Sequence, residues 1–200
     1  MTRSGGWQRT AGESVAVVAA SLVLGGATSF AQGLLPDPLR PLANSVSGWT
    51  LLTALIIWLL HERTAPSAVF GAVSFGCLVL GYTAVSALRG FTYHPLFFGV
   101  VGVIAGPLVG VAAWLRERRR RAALGAALLG GIALGECAYG LVRISATTGR
   151  FYWTVIGVVG LVLVGVTLWR RVDGARDVAL GAGLTAIVAA VFFLAYGVGV

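Results

Sequence analysis

Residues 124–143 read LGAALLGGIALGECAYGLVR. The run matches the roughly 20 apolar residues that a helix needs to cross the hydrocarbon of a bilayer. Glu136 is the single carboxylate inside it. An ionised side chain at that depth costs on the order of 3 kcal/mol, so such residues face a protein interior or a wet cavity. The rest of the chain is therefore read for what it builds around that acid.

Working outward, the 200 residues are 58% hydrophobic and only 11% charged, with a mean hydropathy of +0.89. A soluble domain with so little charge would not stay dispersed, so the excess apolar surface faces lipid. Runs of this length cross as helices, because hydrocarbon offers no partner for free backbone groups. The fold expected is an all-α polytopic bundle, one integral-membrane domain over 1–200, with seven spans near 14–34, 45–60, 66–88, 95–115, 122–142, 152–169 and 177–198. The second is short, and helix extending outward through Pro41 and Asn44 would complete it. If it is re-entrant instead, the count falls to six.

All fifteen basic residues are arginine; with the abundant Ala, Gly and Val this suggests a bacterial chain. A net charge of +8 would point to nucleic acid in a soluble protein, but topology accounts for it here and no nucleic-acid partner is expected. Arg116, Arg118, Arg119, Arg120 and Arg121 follow the fourth span and belong on the cytoplasmic side. Alternation places Arg3, Arg9, Arg63, Arg170, Arg171 and Arg176 there too, leaving Arg40, Arg89, Arg143 and Arg150 outside. The expected arrangement is a bacterial plasma-membrane protein, N-terminus cytoplasmic and C-terminus outside. Trp58, Trp114 and Trp169 at inner ends, with Trp49 and Trp153 at outer ones, fit an interfacial belt.

Glycine supplies the packing. Gly102, Gly106 and Gly110 recur at four-residue spacing on the fourth span, with Pro107 between them to kink it. Gly131 and Gly135 do the same on the fifth. Small residues at this spacing let helices approach where lipid gives no hydrophobic drive. Such glycine and alanine faces, including Ala16 and Ala20, could also receive a protein partner.

On a helix from Ala122, Glu136 lies about 21 Å along the axis. Tyr139, Gly140 and Arg143 share its face. The outer ends of the other spans add Gln32, Asp37, Arg40, Asn44, Arg89, Tyr93 and His94, with Phe91, Phe97, Phe98, Phe151 and Tyr152 at the same level. An outward polar cavity lined with aromatics is expected, offered to a lipophilic small molecule or a small solute. Glu136 is either the acid of a reaction, with Asp37 or Glu62 as partners, or one half of a structural pair with Arg89 or Arg143. His94, before Pro95, also reads as a helix-start cap, and Glu62 as part of a solvated turn. Cys77 and Cys137 sit in apolar runs, and no phosphate loop, dinucleotide fingerprint, metal spacing or nucleophile elbow occurs. No cofactor and no metal are expected.

Leu42-Ala43-Asn44-Ser45 with Trp49, Gly81-Tyr82 with Ser86 and Arg89-Gly90, Gly106-Pro107 with Gly110, and Gly135-Glu136 resemble an uncharacterised family of bacterial, largely actinobacterial, multi-pass membrane proteins. That resemblance implies a membrane location and no activity. In architecture alone the chain is similar to small integral-membrane terpene cyclases, seven-span bundles with carboxylates facing a cavity. It is similar in length, and in Ala16 and Ala20, to the six-span binding components of vitamin transporters. Two functions follow. One is an acid-initiated cyclase or isomerase of an isoprenoid, since apolar surroundings keep a carboxyl protonated and aromatic faces stabilise a carbocation. The other is a non-catalytic solute-binding or transport subunit using Arg40, Arg89 and Arg143. A structural role without a ligand is the third reading.

Overall fold

The computed structural model describes residues 4–60, 64–92, 95–115 and 121–199. Among them every regular element is helical. Helix α1 (Ser4–Leu34) leads through a 3-10 helix, η1 (Asp37–Asn44), into α2 (Val46–Leu60). Then come α3 (Thr64–Leu88), α4 (Leu96–Leu115) and α5 (Ala122–Tyr139), which continues through a π turn (Gly140–Ile144) into the short α6 (Ser145–Thr148). Helices α7 (Phe151–Arg171) and α8 (Ala175–Gly199) close the chain. Six stretches are long and apolar enough to cross a membrane, and a seventh counts if η1 and α2 form one span. This is an integral-membrane helical bundle.

The helices sort into two sets. In one, α3 packs between α1 and α4; in the other, α5 packs between α7 and α8. Helix α2 touches α1, α3 and α4 of the first set and α5 of the second. Backbone contact holds each set together. A Cβ added to Gly25 would strike the Leu78 carbonyl, and one on Gly81 the Leu22 carbonyl. Gly106 lies on the Gly71 backbone and Gly110 on the Ser67 carbonyl, while Gly131 and Gly135 meet α8 at Thr185 and Ala189. These are the close approaches that small residues make possible in lipid. Helix α4 runs through Pro107 as one helix. Two serine pairs, Ser21 with Ser74 and Ser29 with Ser86, each 2.9 Å, add hydrogen bonds between α1 and α3.

The second span differs from the straight extension expected through Pro41 and Asn44. Helix α2 begins only at Val46, and η1 meets it at a 60° bend. The break falls at Ser45, whose backbone is extended, while Pro36, Pro38 and Pro41 keep the preceding stretch from forming regular α-helix. None of them can donate a backbone hydrogen bond. Fifteen residues give α2 a length of about 22 Å, short of the roughly 30 Å of hydrocarbon. Its first turn therefore opens inside the bundle, at the level the arginine pattern assigns to the outer half. Leu51, Leu55 and Leu59 are exposed in a single stripe, and almost every other residue of α2 is buried or half-buried.

Candidate functional site

A helix leaves its first backbone N–H groups without intrahelical partners, and in hydrocarbon each unsatisfied one costs several kcal/mol. The opening of α2 is satisfied by side chains. Ser45 stands at the N-cap, and its Oγ accepts the Gly48 N–H at 2.9 Å. The Val46 N–H donates to Glu136 Oε1 at 2.8 Å, and the Ser47 N–H to Oε2 at 2.7 Å. Trp49 N–H already returns to the Ser45 carbonyl. The carboxylate, 1% exposed, thus caps α2 from the neighbouring helix. Heights explain the meeting: Glu136 lies fourteen residues from Ala122 and Val46 fourteen from Leu60, about 21 Å in both cases. A negative charge at a helix N-terminus is also favoured by the helix dipole.

Tyr152 completes this centre. Its phenol and the Ser45 hydroxyl are hydrogen-bonded, joining α7 to the start of α2. Tyr139 is buried but turns to α8, where its ring meets Tyr196 edge-on at 4.9 Å and Phe193 at 6.1 Å. The π turn that follows brings Gly140 flat against the Trp153 ring.

A second polar group lies between the C-terminal ends of α1 and α3. It surrounds a cavity of about 320 Å³ lined by Ser29, Gln32, Tyr82, Ser86, Arg89 and Thr92, with Phe91 as a wall. Arg89 Nη1 donates to the carbonyl of Ser29 and, at 3.1 Å, to its hydroxyl. The guanidinium stands 4.8 Å from the Phe30 ring centre and 5.1 Å from that of Phe91. Tyr82 donates its hydroxyl to Gln32 Oε1 at 2.8 Å. Among the described residues no carboxylate pairs with Arg89. Trp49 connects the two centres: its ring packs 5.6 Å from that of Tyr82, 5.8 Å from Phe98 and 6.1 Å from Phe75.

The residues expected to share one cavity are thus divided. Gln32 and Arg89 line the outer pocket; Glu136 and Tyr152 meet at α2; Tyr139 packs on α8. Asp37 does not join Glu136: it is exposed on η1 and pairs with Arg40 at 2.9 Å. Asn44 and Arg143 are exposed as well, and the partners of Glu136 are amides rather than an arginine. Glu62, Tyr93 and His94 lie outside the described residues, as does the side chain of Phe97. Phe151 faces outward. A larger concavity, about 1040 Å³, runs between the start of α5 and α8 at the opposite end. It is an open groove lined by Leu180, Leu184 and Ile187 together with Arg171, Asp173 and Asp177. The serine pairs and the Ser45 cap were not foreseen. The signal available was Ser45 before an apolar helix whose third position, Gly48, lacks the usual acidic partner of a capping box.

Residues 4–199 match a family of unknown function, DUF6518. The chain belongs to that family. No curated protein and no solved structure matches it. The family resemblance read from the sequence is therefore met at the level of a family without an assigned activity, and the match carries nothing on terpene cyclases.

Proposed function

We propose that this DUF6518 protein is a binding or transport subunit whose outer pocket takes a small solute bearing a carboxylate or phosphate group. The observation that carries this reading is Arg89, held in the pocket by Ser29 and by two aromatic rings with no carboxylate to neutralise it among the described residues. A guanidinium positioned from behind keeps N–H groups for an incoming anion, and its planar fork suits two oxygens at once. Gln32, Ser86 and Thr92 offer further hydrogen bonds from the walls. At about 320 Å³ the space sits at the small end of ligand pockets.

The acid-initiated cyclase reading draws less support. It needs Glu136 to present a proton to a substrate, whereas both its oxygens face backbone donors. The two readings separate experimentally. Purified protein in nanodiscs is titrated with small mono- and dicarboxylates and phosphate monoesters, and binding is followed by calorimetry and thermal shift. A ligand that binds the wild type should bind Arg89→Lys at least tenfold more weakly and Arg89→Ala weaker still, with Gln32→Ala about fivefold weaker. Equal binding to wild type and Arg89→Ala, or none to either, would remove the outer-pocket reading. Turnover of a polyprenyl substrate that Glu136→Gln abolishes would restore the catalytic one.

A further inference from the structure

Helix α2 carries polar atoms that nothing in the protein satisfies. The Ser47 hydroxyl is buried beside the Glu136 carboxylate, and the hydroxyls of Thr50 and Thr53 and the indole N–H of Trp49 are buried without a hydrogen-bond partner. Their residues are 7%, 5%, 0% and 2% exposed. Elsewhere in the bundle, helical hydroxyls find a partner in their own backbone. Thr83, Thr154, Thr167, Thr185 and Ser145 each donate to the carbonyl four residues earlier, the usual resting place for such groups. The three on α2 do not take it, although buried polar groups are paired almost everywhere in proteins.

Their spacing gives the pattern a direction. Positions 47, 50 and 53 climb the helix in steps of about 4.5 Å, a separation that one water bridges with two ordinary hydrogen bonds. Thr50 and Thr53 lie away from the lipid-facing stripe of Leu51, Leu55 and Leu59, while Ser47, at the head of that stripe, is buried inside the bundle. At one end of the row the Ser47 amide is already bonded to Glu136 Oε2. Beyond the other end, on the first turns of α3, Ser67 is a further hydroxyl that is fully buried and without a partner.

We propose that the inward face of α2 holds a file of water molecules ending on Glu136, and that this file carries protons between the carboxylate and the end of the bundle where α2 meets α3. The step is a plain proton transfer. A hydronium ion at the far end gives up a proton, the file relays it, and a Glu136 oxygen forms an O–H bond. That oxygen then holds its backbone N–H more weakly, and the Ser47 hydroxyl beside it, which has lone pairs as well as a proton, accepts the new O–H. The titratable groups facing Glu136 from packed elements are the phenols of Tyr152 on α7 and Tyr196 on α8, with Tyr139 on its own helix. No charged side chain faces it among the described residues. The proposal does not depend on the outer pocket.

Two measurements on the full chain in nanodiscs test it. X-ray hydroxyl-radical footprinting generates radicals from bound water, so Trp49 should be oxidised at least fivefold faster than Phe70, which is also buried. Infrared spectroscopy on acidification should reveal a protonated carboxyl band absent from Glu136→Gln. That band should shift in D2O at least fivefold more slowly in Thr53→Val than in wild type, with Thr53→Ser close to wild type. If Thr53→Val does not fold, Thr50→Val makes the same comparison. A Trp49 labelled no faster than Phe70, a band that never appears, or a D2O shift unaffected by removing the hydroxyl overturns the proposal.

Discussion

Glu136 shows how a costly residue is made tolerable. An ionised carboxylate alone in hydrocarbon is unfavourable, and so are two free backbone N–H groups; placed against each other, each removes the other's penalty. Glutamine at this position keeps one acceptor oxygen but turns an NH2 group toward the second amide. Glu136→Gln should therefore lower stability by about 1–3 kcal/mol, the cost of an unsatisfied buried donor. It would be seen as a drop of several degrees in the melting temperature of purified protein, and an unchanged melt would remove the capping role. Tyr152→Phe loses one hydrogen bond to Ser45 while the Ser45–Gly48 cap survives, so about 0.5–1.5 kcal/mol is expected, measured the same way. The sequence singles out Glu136 because a lone acid in an apolar run is conspicuous, and Arg89 and Gln32 because they flank the right spans. Its partners were not legible. Val46 and Ser47 offer only main-chain atoms, which carry no side-chain signature, and they lie 90 and 89 residues away.

At the level of elements, spans of high hydropathy and glycine spacing were readable because both are local properties. Seating partners were not. Gly71 faces Gly106 and Gly25 faces Leu78 only once the helices are paired. The glycines also differ among themselves. Gly106→Val would drive a side chain into the Gly71 backbone and should separate α3 from α4, giving aggregation or a loss of folded yield in detergent. Gly165, by contrast, has open space where a Cβ would go. Gly165→Ala should leave the melting temperature unchanged or raise it slightly, since alanine favours helix by about 1 kcal/mol over glycine. Similar effects from the two substitutions would show that the α3–α4 approach is looser than described. The bent η1–α2 element was only half visible: the shortness of the second apolar run was clear, while the 60° turn lies at Ser45, whose hydrogen bonds form only in the folded bundle.

Over the whole molecule, two packed sets of helices meet where α4 and α2 lie against α5, and hydrogen bonds from α5 and α7 fasten the start of α2. Alternation of the spans, combined with the arginine count, gives a testable orientation. With Cys77 and Cys137 replaced by alanine, a cysteine at Thr147 should react with an impermeant maleimide in intact cells. One at Arg118 should react only after permeabilisation. The reverse pattern would invert the assigned topology.

The cap on α2 also bears on the order in which the protein is made. The ribosome releases Val46 and Ser47 long before Glu136 exists. At roughly 5–20 residues per second, the 90 intervening residues take roughly 5–18 s to synthesise. During that interval the Val46 and Ser47 amides lack the acceptor they have in the folded protein. Those two amides are expected to stay hydrated, within the insertion machinery or at the wet surface of the bilayer, until the fifth span arrives. The final depth of the second span is therefore set late, by the fifth.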